Sequence, residues 1–102
     1  MVISGGVNVY PAEIESVIHQ IPQVDDAAVS GIPDEEFGES LVIHIQLPPG
    51  AQLTEEEIRA HLAARLAKYK VPRRIVFDEQ LPREDSGKLF KRRIKQMYLE
   101  KV

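Results

Sequence analysis

The chain has 102 residues, a formal net charge of −3 and 43% hydrophobic residues, which is enough for one small domain with its own core. It contains no cysteine, which excludes disulfide bonds and cysteine-ligated metals, and no run of about eighteen apolar residues that would span a membrane. Segment 1–6 has neither a basic region nor a long apolar stretch, so we expect no signal peptide and a cytoplasmic location.

The charges are unevenly distributed. Up to Ala64 there are eleven acidic residues and one base, Arg59, whereas twelve bases and five acids follow from Arg65 onward. The C-terminal part can therefore face an anion such as a nucleotide phosphate. A nucleic-acid partner is not expected, because the basic run lacks interleaved stacking aromatics beyond Tyr69 and the whole chain is acidic.

The N-terminal part predicts a β-hairpin followed by a helix. Gly5-Gly6, between two short apolar segments, is a hairpin signal. Pro11 favours the first position of a helix, apolar residues then recur every three or four positions, and Pro22 ends the predicted helix. That apolar stripe consists of Ile14, Val17, Ile18 and Ile21.

Two strands are predicted in the middle of the chain. The first runs from Val24 to Ile32 and is expected to turn at Gly31–Asp34, before a polar loop that contains Phe37. The second is expected to be half buried, because its apolar residues fall on alternate positions. They are Leu41, Ile43, Ile45 and Leu47.

The C-terminal half predicts a helix, a strand and a further helix. Thr54-Glu55-Glu56-Glu57 is a capping box, and the helix that it opens is expected to end near Tyr69, before Val71-Pro72. A short strand follows from Arg74 to Asp78, and the last helix begins after the turn Asp85-Ser86-Gly87. Its predicted inward residues are Phe90, Ile94, Met97 and Tyr98.

Strands and helices are mixed without a βαβ repeat, so the expected fold class is α+β. We expect one domain over residues 1–102, in which helices pack on a small three-stranded sheet and an N-terminal β-hairpin is added.

No complete catalytic site can be built from this chain alone. The histidines His19, His44 and His61 have no metal-ligand spacing, and the phosphate-binding pattern GxxxxGK[ST] is absent. Lys88 follows a tight turn. On residue chemistry alone it is either a solvated lysine at a helix entry or a group presented to something outside the chain.

Three segments resemble motifs of the adenylate-forming enzyme superfamily, which includes acyl-CoA ligases and luciferases. Met1–Glu15 is similar to the motif Ile-Ser-Gly-Gly-x-Asn followed by Pro-x-Glu, an apolar residue and Glu. Leu66–Pro72 and Leu81–Arg93 are similar to two further motifs, in family order and spacing. The resemblance covers essentially the whole chain. It implies the mobile C-terminal domain of an acyl-CoA ligase, cut at a hinge just before Met1.

The resemblance implies that Lys88 is the catalytic lysine of adenylation, bonded to the acyl carboxylate and the adenylate phosphate. ATP and CoA would be substrates of the parent enzyme. Its N-terminal domain, which would hold the ATP loop, the acyl pocket and Mg²⁺, would be the partner of this chain. No metal site is expected in the chain itself.

The resemblance also implies contacts with CoA. The Gly5-Gly6 turn would let the pantetheine arm pass close to the backbone, and Tyr69 and Arg73 would lie near the nucleotide end. Val7 and Phe37 are weaker candidates for the same surface. Val71 stands where some family members have arginine.

Two other interpretations stay open. Adenylation domains that acylate a carrier protein belong to the same superfamily, but they usually lack Ser-Gly-Gly-x-Asn, so we favour an acyl-CoA ligase that converts a carboxylic acid, ATP and CoA to acyl-CoA, AMP and pyrophosphate. A free-standing α+β interaction domain without catalysis is the alternative from another class. The reading frame upstream of Met1 distinguishes the ligase from the free-standing domain: a long open frame running into Met1 would support the ligase, and a stop codon before Met1 would support the free domain. The isolated chain is expected to be inactive, and the acid, whether fatty, alicyclic or aromatic, would be chosen by the absent domain.

Overall fold

The computed structural model describes residues 1–36 and 38–101 and confirms the α+β class. Within these residues, five strands form a two-stranded hairpin and a three-stranded sheet, and three α-helices accompany them. In chain order the elements are β1 (Val2–Ser4), β2 (Val7–Val9), α1 (Pro11–Ile18), β3 (Asp26–Asp34), β4 (Gly38–Gln46), α2 (Glu55–Ala63), a 3₁₀ turn (Lys68–Lys70), β5 (Arg74–Asp78) and α3 (Lys91–Lys101).

The predicted N-terminal hairpin is present. Ser4 pairs with Val7 across a two-residue turn, in which Gly5 has φ 59° and Gly6 has φ 81°. Two successive positive φ angles suit the type I′ turn that matches strand twist, and glycine adopts them without strain. The hairpin residues Val2 and Val9 are buried in the main core, so the hairpin packs against the rest of the domain.

The hairpin reaches the sheet at Gly31 of β3. A Cβ atom on Gly31 would lie 2.6 Å from Oε2 of Glu39 and 2.8 Å from Cγ1 of Val2. The missing side chain therefore makes room for β1.

The three-stranded sheet has the order β3–β4–β5. Strands β3 and β4 are antiparallel from Asp26↔Gln46 to Asp34↔Gly38, and β4 and β5 are parallel. The turn expected at Gly31–Asp34 was wrong, because these residues continue β3. Pro33 is tolerated there since β3 is an edge strand, whose outward N–H positions need no partner in the sheet.

The central strand β4 is buried on both faces, not on one as predicted. Leu41, Ile43 and Ile45 face the main core, which also contains residues of α1 and α2. On the opposite face, His44 is 4% exposed and its ring lies edge-on to Tyr98 of α3, with the ring centroids 5.4 Å apart. Alternation could not predict this arrangement, because the covering helix lies far along the chain.

Helix starts were predicted better than helix ends. Helix α1 begins at Pro11 as expected but ends at Ile18, and the N–H of Ile21 donates to the carbonyl of Ile18 in a following turn. Ile21 still packs in the core, so the apolar stripe extends past the helix that it predicted.

The capping box of α2 is confirmed in both of its hydrogen bonds. Oγ1 of Thr54 accepts from the N–H of Glu57 at 3.1 Å, and Oε1 of Glu57 accepts from the N–H of Thr54 at 3.2 Å. The helix ends at Ala63, so Tyr69 lies in the separate 3₁₀ turn and not at the end of α2 as expected.

The remaining predictions concern β5 and α3. Strand β5 spans Arg74–Asp78 as predicted; Ile75 packs against the core but Phe77 is exposed. In α3, Ile94 is buried and Met97 and Tyr98 are half buried, whereas the half-buried Phe90 precedes the helix.

Candidate functional site

Lys88 lies in a small hairpin ahead of α3. The N–H of Gly87 donates to the carbonyl of Glu84 at 2.9 Å, and the N–H of Glu84 donates to the carbonyl of Lys88 at 2.8 Å. Arg83 and Leu89 pair across its base, and Gly87 has φ 93°. This is a type I turn closed by a glycine bulge, which explains why the sequence places Asp85-Ser86-Gly87 here.

The base of this hairpin is fixed to the sheet. Leu81 is 2% exposed and packs with Ala28 of β3 and Ile94 of α3. Its N–H donates to Oε1 of Gln46, the last residue of β4, at 2.8 Å. The tip therefore projects from a rigid base.

The Lys88 side chain is exposed at the tip of the hairpin. Among the described residues its ammonium makes no hydrogen bond or ion pair. The neighbouring basic residues, by contrast, form ion pairs within the fold: Lys91 pairs with Glu15, and Arg83 pairs with Asp26. The charge of Lys88 is thus available to an anion outside the chain.

A groove of about 620 Å³ lies between the N-terminal hairpin and the 3₁₀ turn. It brings together Gly5, Tyr69 and Arg73, for which the family resemblance implies contacts with CoA, and Val7 and Val71 also line it. Leu41 and Lys68 complete its lining. Gly6 lies in the same turn but does not line the groove, and Phe37 lies outside the described residues.

Arg59 holds the backbone on one side of this groove. Its guanidinium donates to the carbonyls of Pro72 at 3.0 Å and Arg73 at 2.7 Å. The side chain of Arg73 pairs with Asp34 at 3.6 Å. Sequence reasoning missed this role of Arg59, for which its isolation as a base among eleven acids was the one available signal.

Glu13 of α1 holds the 3₁₀ turn. Its carboxylate accepts from Nζ of Lys70 at 2.7 Å, and this hydrogen bond is the main reason that the pKa of Lys70 is raised. The same ammonium lies 5.7 Å from the centre of the Tyr69 ring, within cation–π range. The tyrosine that lines the groove is therefore supported by a charged pair, although half of its surface is exposed.

The groove meets β4 near the middle of the strand, whereas the Lys88 hairpin is bound at its last residue. Leu41 lines the groove, whereas Gln46 binds the base of the hairpin. At about 3.4 Å per residue, these two strand positions are about 17 Å apart.

The histidines make contacts within the fold. Nε2 of His61 lies 3.0 Å from the carbonyl of Val17, and Nε2 of His19 lies 3.5 Å from the carboxylate of Asp26. Across residues 1–36 and 38–101, no cluster of three or more histidine or acidic side chains is arranged to hold a metal. In the same residues, no helix has the length and apolar character needed to cross a membrane.

A family model and curated relatives match this chain over most of its length. Residues 13–88 match the family described as the AMP-binding enzyme C-terminal domain. The chain is 44% identical over 98 residues to long-chain-fatty-acid–CoA ligase FadD13 of Mycobacterium tuberculosis, covering 96% of this chain and 19% of that protein. It is also 44% identical over 97 residues to 2-succinylbenzoate–CoA ligase of Geobacillus kaustophilus, covering 95% of this chain and 20% of that protein.

Solved structures show the same fold. A Mycobacterium tuberculosis fatty acyl CoA synthetase superposes with a TM-score of 0.90 at 42% identity, over 98% of this chain and 20% of that one. ATP-bound MatB from Rhodopseudomonas palustris superposes with a TM-score of 0.89 at 38% identity, over 94% of this chain and 19% of that one. The chain therefore spans about a fifth of the length of these relatives.

Proposed function

Because the chain belongs to the family of AMP-binding enzyme C-terminal domains, we propose that it acts as the mobile C-terminal domain of an ATP-dependent acyl-CoA ligase. The whole enzyme would convert a carboxylic acid, ATP and CoA to acyl-CoA, AMP and pyrophosphate. This chain would supply the adenylation lysine and part of the CoA path. The relatives named above, which are CoA ligases, support this assignment.

Lys88 would act in the first half-reaction. Adenylation brings a carboxylate onto a triphosphate, and the repulsion between these anions must be offset as charge develops in the transition state. A cation held at that point favours the reaction when it binds the transition state more strongly than the ground state. The exposed ammonium of Lys88, unpaired within the described part of the chain and carried on a rigid hairpin, suits this role.

The groove would act in the second half-reaction. Its wall at Gly5 offers backbone without a side chain, along which a pantetheine arm can pass. Tyr69 and Arg73 offer a ring face and a cation at the other side, which suit an adenine ring and a phosphate.

The observation that carries the proposal is the separate attachment of these two features to β4, the groove at Leu41 and the base of the lysine hairpin at Gln46. The exposed lysine and the groove are therefore two separate surfaces of one domain, which suits a domain that presents each surface to the active site in turn. We therefore propose that the chain moves relative to an N-terminal partner domain. That domain would bind Mg²⁺ and select the acid, and the enzyme would be cytoplasmic.

The test uses the parent ligase and separates the half-reactions. Lys88→Ala should slow acid-dependent ATP–pyrophosphate exchange by about 10²–10³-fold. It should spare thioester formation from a supplied acyl-adenylate. Arg93→Ala removes an exposed base of α3 and is the matched control. If the two variants slow adenylation equally, the basic run acts as a diffuse charge patch.

Two further measurements complete the test. Tyr69→Ala and Arg73→Ala should raise the KM for CoA while leaving pyrophosphate exchange near the wild-type rate.

The isolated chain should show no exchange above a blank, because it would lack the ATP site. Clear exchange by the isolated chain would contradict the proposal.

A further inference from the structure

We propose that Arg83 is a positioning residue for Lys88, and that it acts by joining the tip of the lysine hairpin to Asp26 of β3. The inference rests on the role proposed above for Lys88. Arg83 would fix the direction in which the Lys88 side chain leaves the backbone, through contacts within the fold.

Arg83 binds the peptide group that precedes Lys88. Its Nη1 donates to the carbonyl of Gly87 at 3.0 Å. On the other side of Lys88, the carbonyl of Lys88 itself accepts from the N–H of Glu84 at 2.8 Å. Both peptide planes that flank the lysine Cα are therefore held, and together they set the direction of its Cα–Cβ bond.

The other end of the Arg83 guanidinium is anchored in the sheet. Its Nη2 donates to Oδ2 of Asp26 at 2.6 Å. The second carboxylate oxygen of Asp26 accepts from the N–H of Ala27 at 2.9 Å, and Nε2 of His19 lies 3.5 Å from it. Asp26 is thus a fixed acceptor, in register with Gln46 at the base of the same hairpin.

The chemistry of arginine matches the task. Its planar fork directs two donors to separate acceptors at once, here a carbonyl and a carboxylate, whereas a lysine ammonium behaves as a point charge. Without the contact to Gly87, the Gly87–Lys88 peptide can rotate more freely, because glycine tolerates many backbone angles. A displacement of about 1 Å in a reacting group can cost on the order of 10²-fold in rate.

Arg83 is 41% exposed, and exposed ion pairs contribute little to folding stability. Arg83→Gln should therefore lower the urea midpoint by no more than loss of the similarly exposed Lys91–Glu15 pair would, and leave the protein folded. A loss of activity in Arg83→Gln would then reflect misplacement of the Lys88 side chain and not unfolding of the domain.

The first experiment is a double-mutant cycle in the parent ligase. Arg83→Gln should lower kcat for pyrophosphate exchange by about 10–10²-fold, with KM for ATP little changed and thioester formation from acyl-adenylate spared. In the Lys88→Ala background the same change should have almost no further effect. Asp26→Asn should lower the rate in the same direction, and Arg83→Lys should recover part of it.

The outcomes separate this inference from the proposed function. If Lys88→Ala is silent, the role of Lys88 fails and the functional part of the inference fails with it. If Lys88→Ala is crippling but Arg83→Gln is silent, slows both half-reactions equally or adds its full loss to that of Lys88→Ala, the positioning role alone is overturned.

The second experiment does not depend on activity. Amide ¹⁵N relaxation in the 102-residue chain should give Lys88 an order parameter near that of rigid backbone, about 0.85, in the wild type. Arg83→Gln should lower it toward about 0.6. An unchanged value would show that the backbone hydrogen bonds suffice to hold the lysine, and would overturn the inference.

Discussion

The Nζ atom of Lys91 lies 2.5 Å from Oε2 of Glu15, which joins the first residue of α3 to α1. The same carboxylate oxygen accepts the N–H of Val29 in β3 at 2.8 Å. One glutamate side chain therefore connects three elements of the fold. Glu15 lies in segment Met1–Glu15 and Lys91 in segment Leu81–Arg93, two of the three segments that resemble superfamily motifs. The ion pair therefore brings these two segments into contact.

Lys91 should contribute to stability, unlike the solvated bases near it. Lys91→Ala should lower the free energy of unfolding by about 0.5–1 kcal/mol, because the partly buried Glu15 loses its charged partner. Urea titration measures the change. Arg93→Ala, at an exposed position of the same helix, should change it by less than about 0.5 kcal/mol. Equal effects would mean that the Glu15–Lys91 pair carries no net stabilisation.

The capping box should determine how well α2 begins. Thr54→Ala should destabilise the chain by about 1 kcal/mol, because the N–H of Glu57 loses its acceptor and the reciprocal bond loses its geometry. Thr54→Ser keeps the hydroxyl and should stay close to the wild type. A urea midpoint that is unchanged in Thr54→Ala would show that solvent replaces the cap at no cost.

Gly31 should be intolerant of even one methyl group. Gly31→Ala would place its Cβ against Glu39 and Val2, so we expect a loss of about 1–3 kcal/mol from overpacking. Val2→Ala removes the methyl groups at 2.8 and 2.9 Å. The double variant should lose less than the sum of the two single losses. A purely additive result in urea titrations would show that β1 shifts without strain.

Two substitutions at Gly6 should distinguish the cost of backbone strain from steric blocking of the pantetheine arm. A Cβ on Gly6 meets nothing within 4 Å, but φ is 81°, so Gly6→Ala and Gly6→Leu share the same backbone cost of about 1–2 kcal/mol. If the pantetheine arm passes this turn in the parent ligase, Gly6→Leu should slow thioester formation well below the rate of Gly6→Ala, with adenylation similar in both. Equal thioester rates in the two variants would leave only a folding effect.

Local signals in the sequence predicted the elements whose causes are local. Pro11 marked the start of α1, Gly5-Gly6 marked the hairpin turn, and Thr54 with Glu57 marked the start of α2. Each of these depends on a few neighbouring residues and on backbone geometry.

Features that depend on distant packing were not predictable in this way. Pro33 reads as a turn residue until the edge position of β3 is known, and the burial of His44 depends on α3, which lies about fifty residues later. The roles of Arg59 and Arg83 are likewise contacts between distant segments. For the candidate site, the motifs indicated the exposed Lys88 and the set Gly5, Gly6, Tyr69 and Arg73, of which all but Gly6 line the groove. They did not indicate the side chains that hold these residues in place.

The burial of β4 on both faces, with a strand paired on each side, has a consequence for how the domain moves. We expect the amides of Ile43 and Ile45 to exchange with deuterium mainly through global unfolding, because both side chains are fully buried and the strand is paired on both sides. The groove and the lysine hairpin both contact this strand, at Leu41 and Gln46, so we expect both to be held by the slowest-exchanging segment of the chain. The distance between the groove and the lysine hairpin should therefore stay constant while the domain turns.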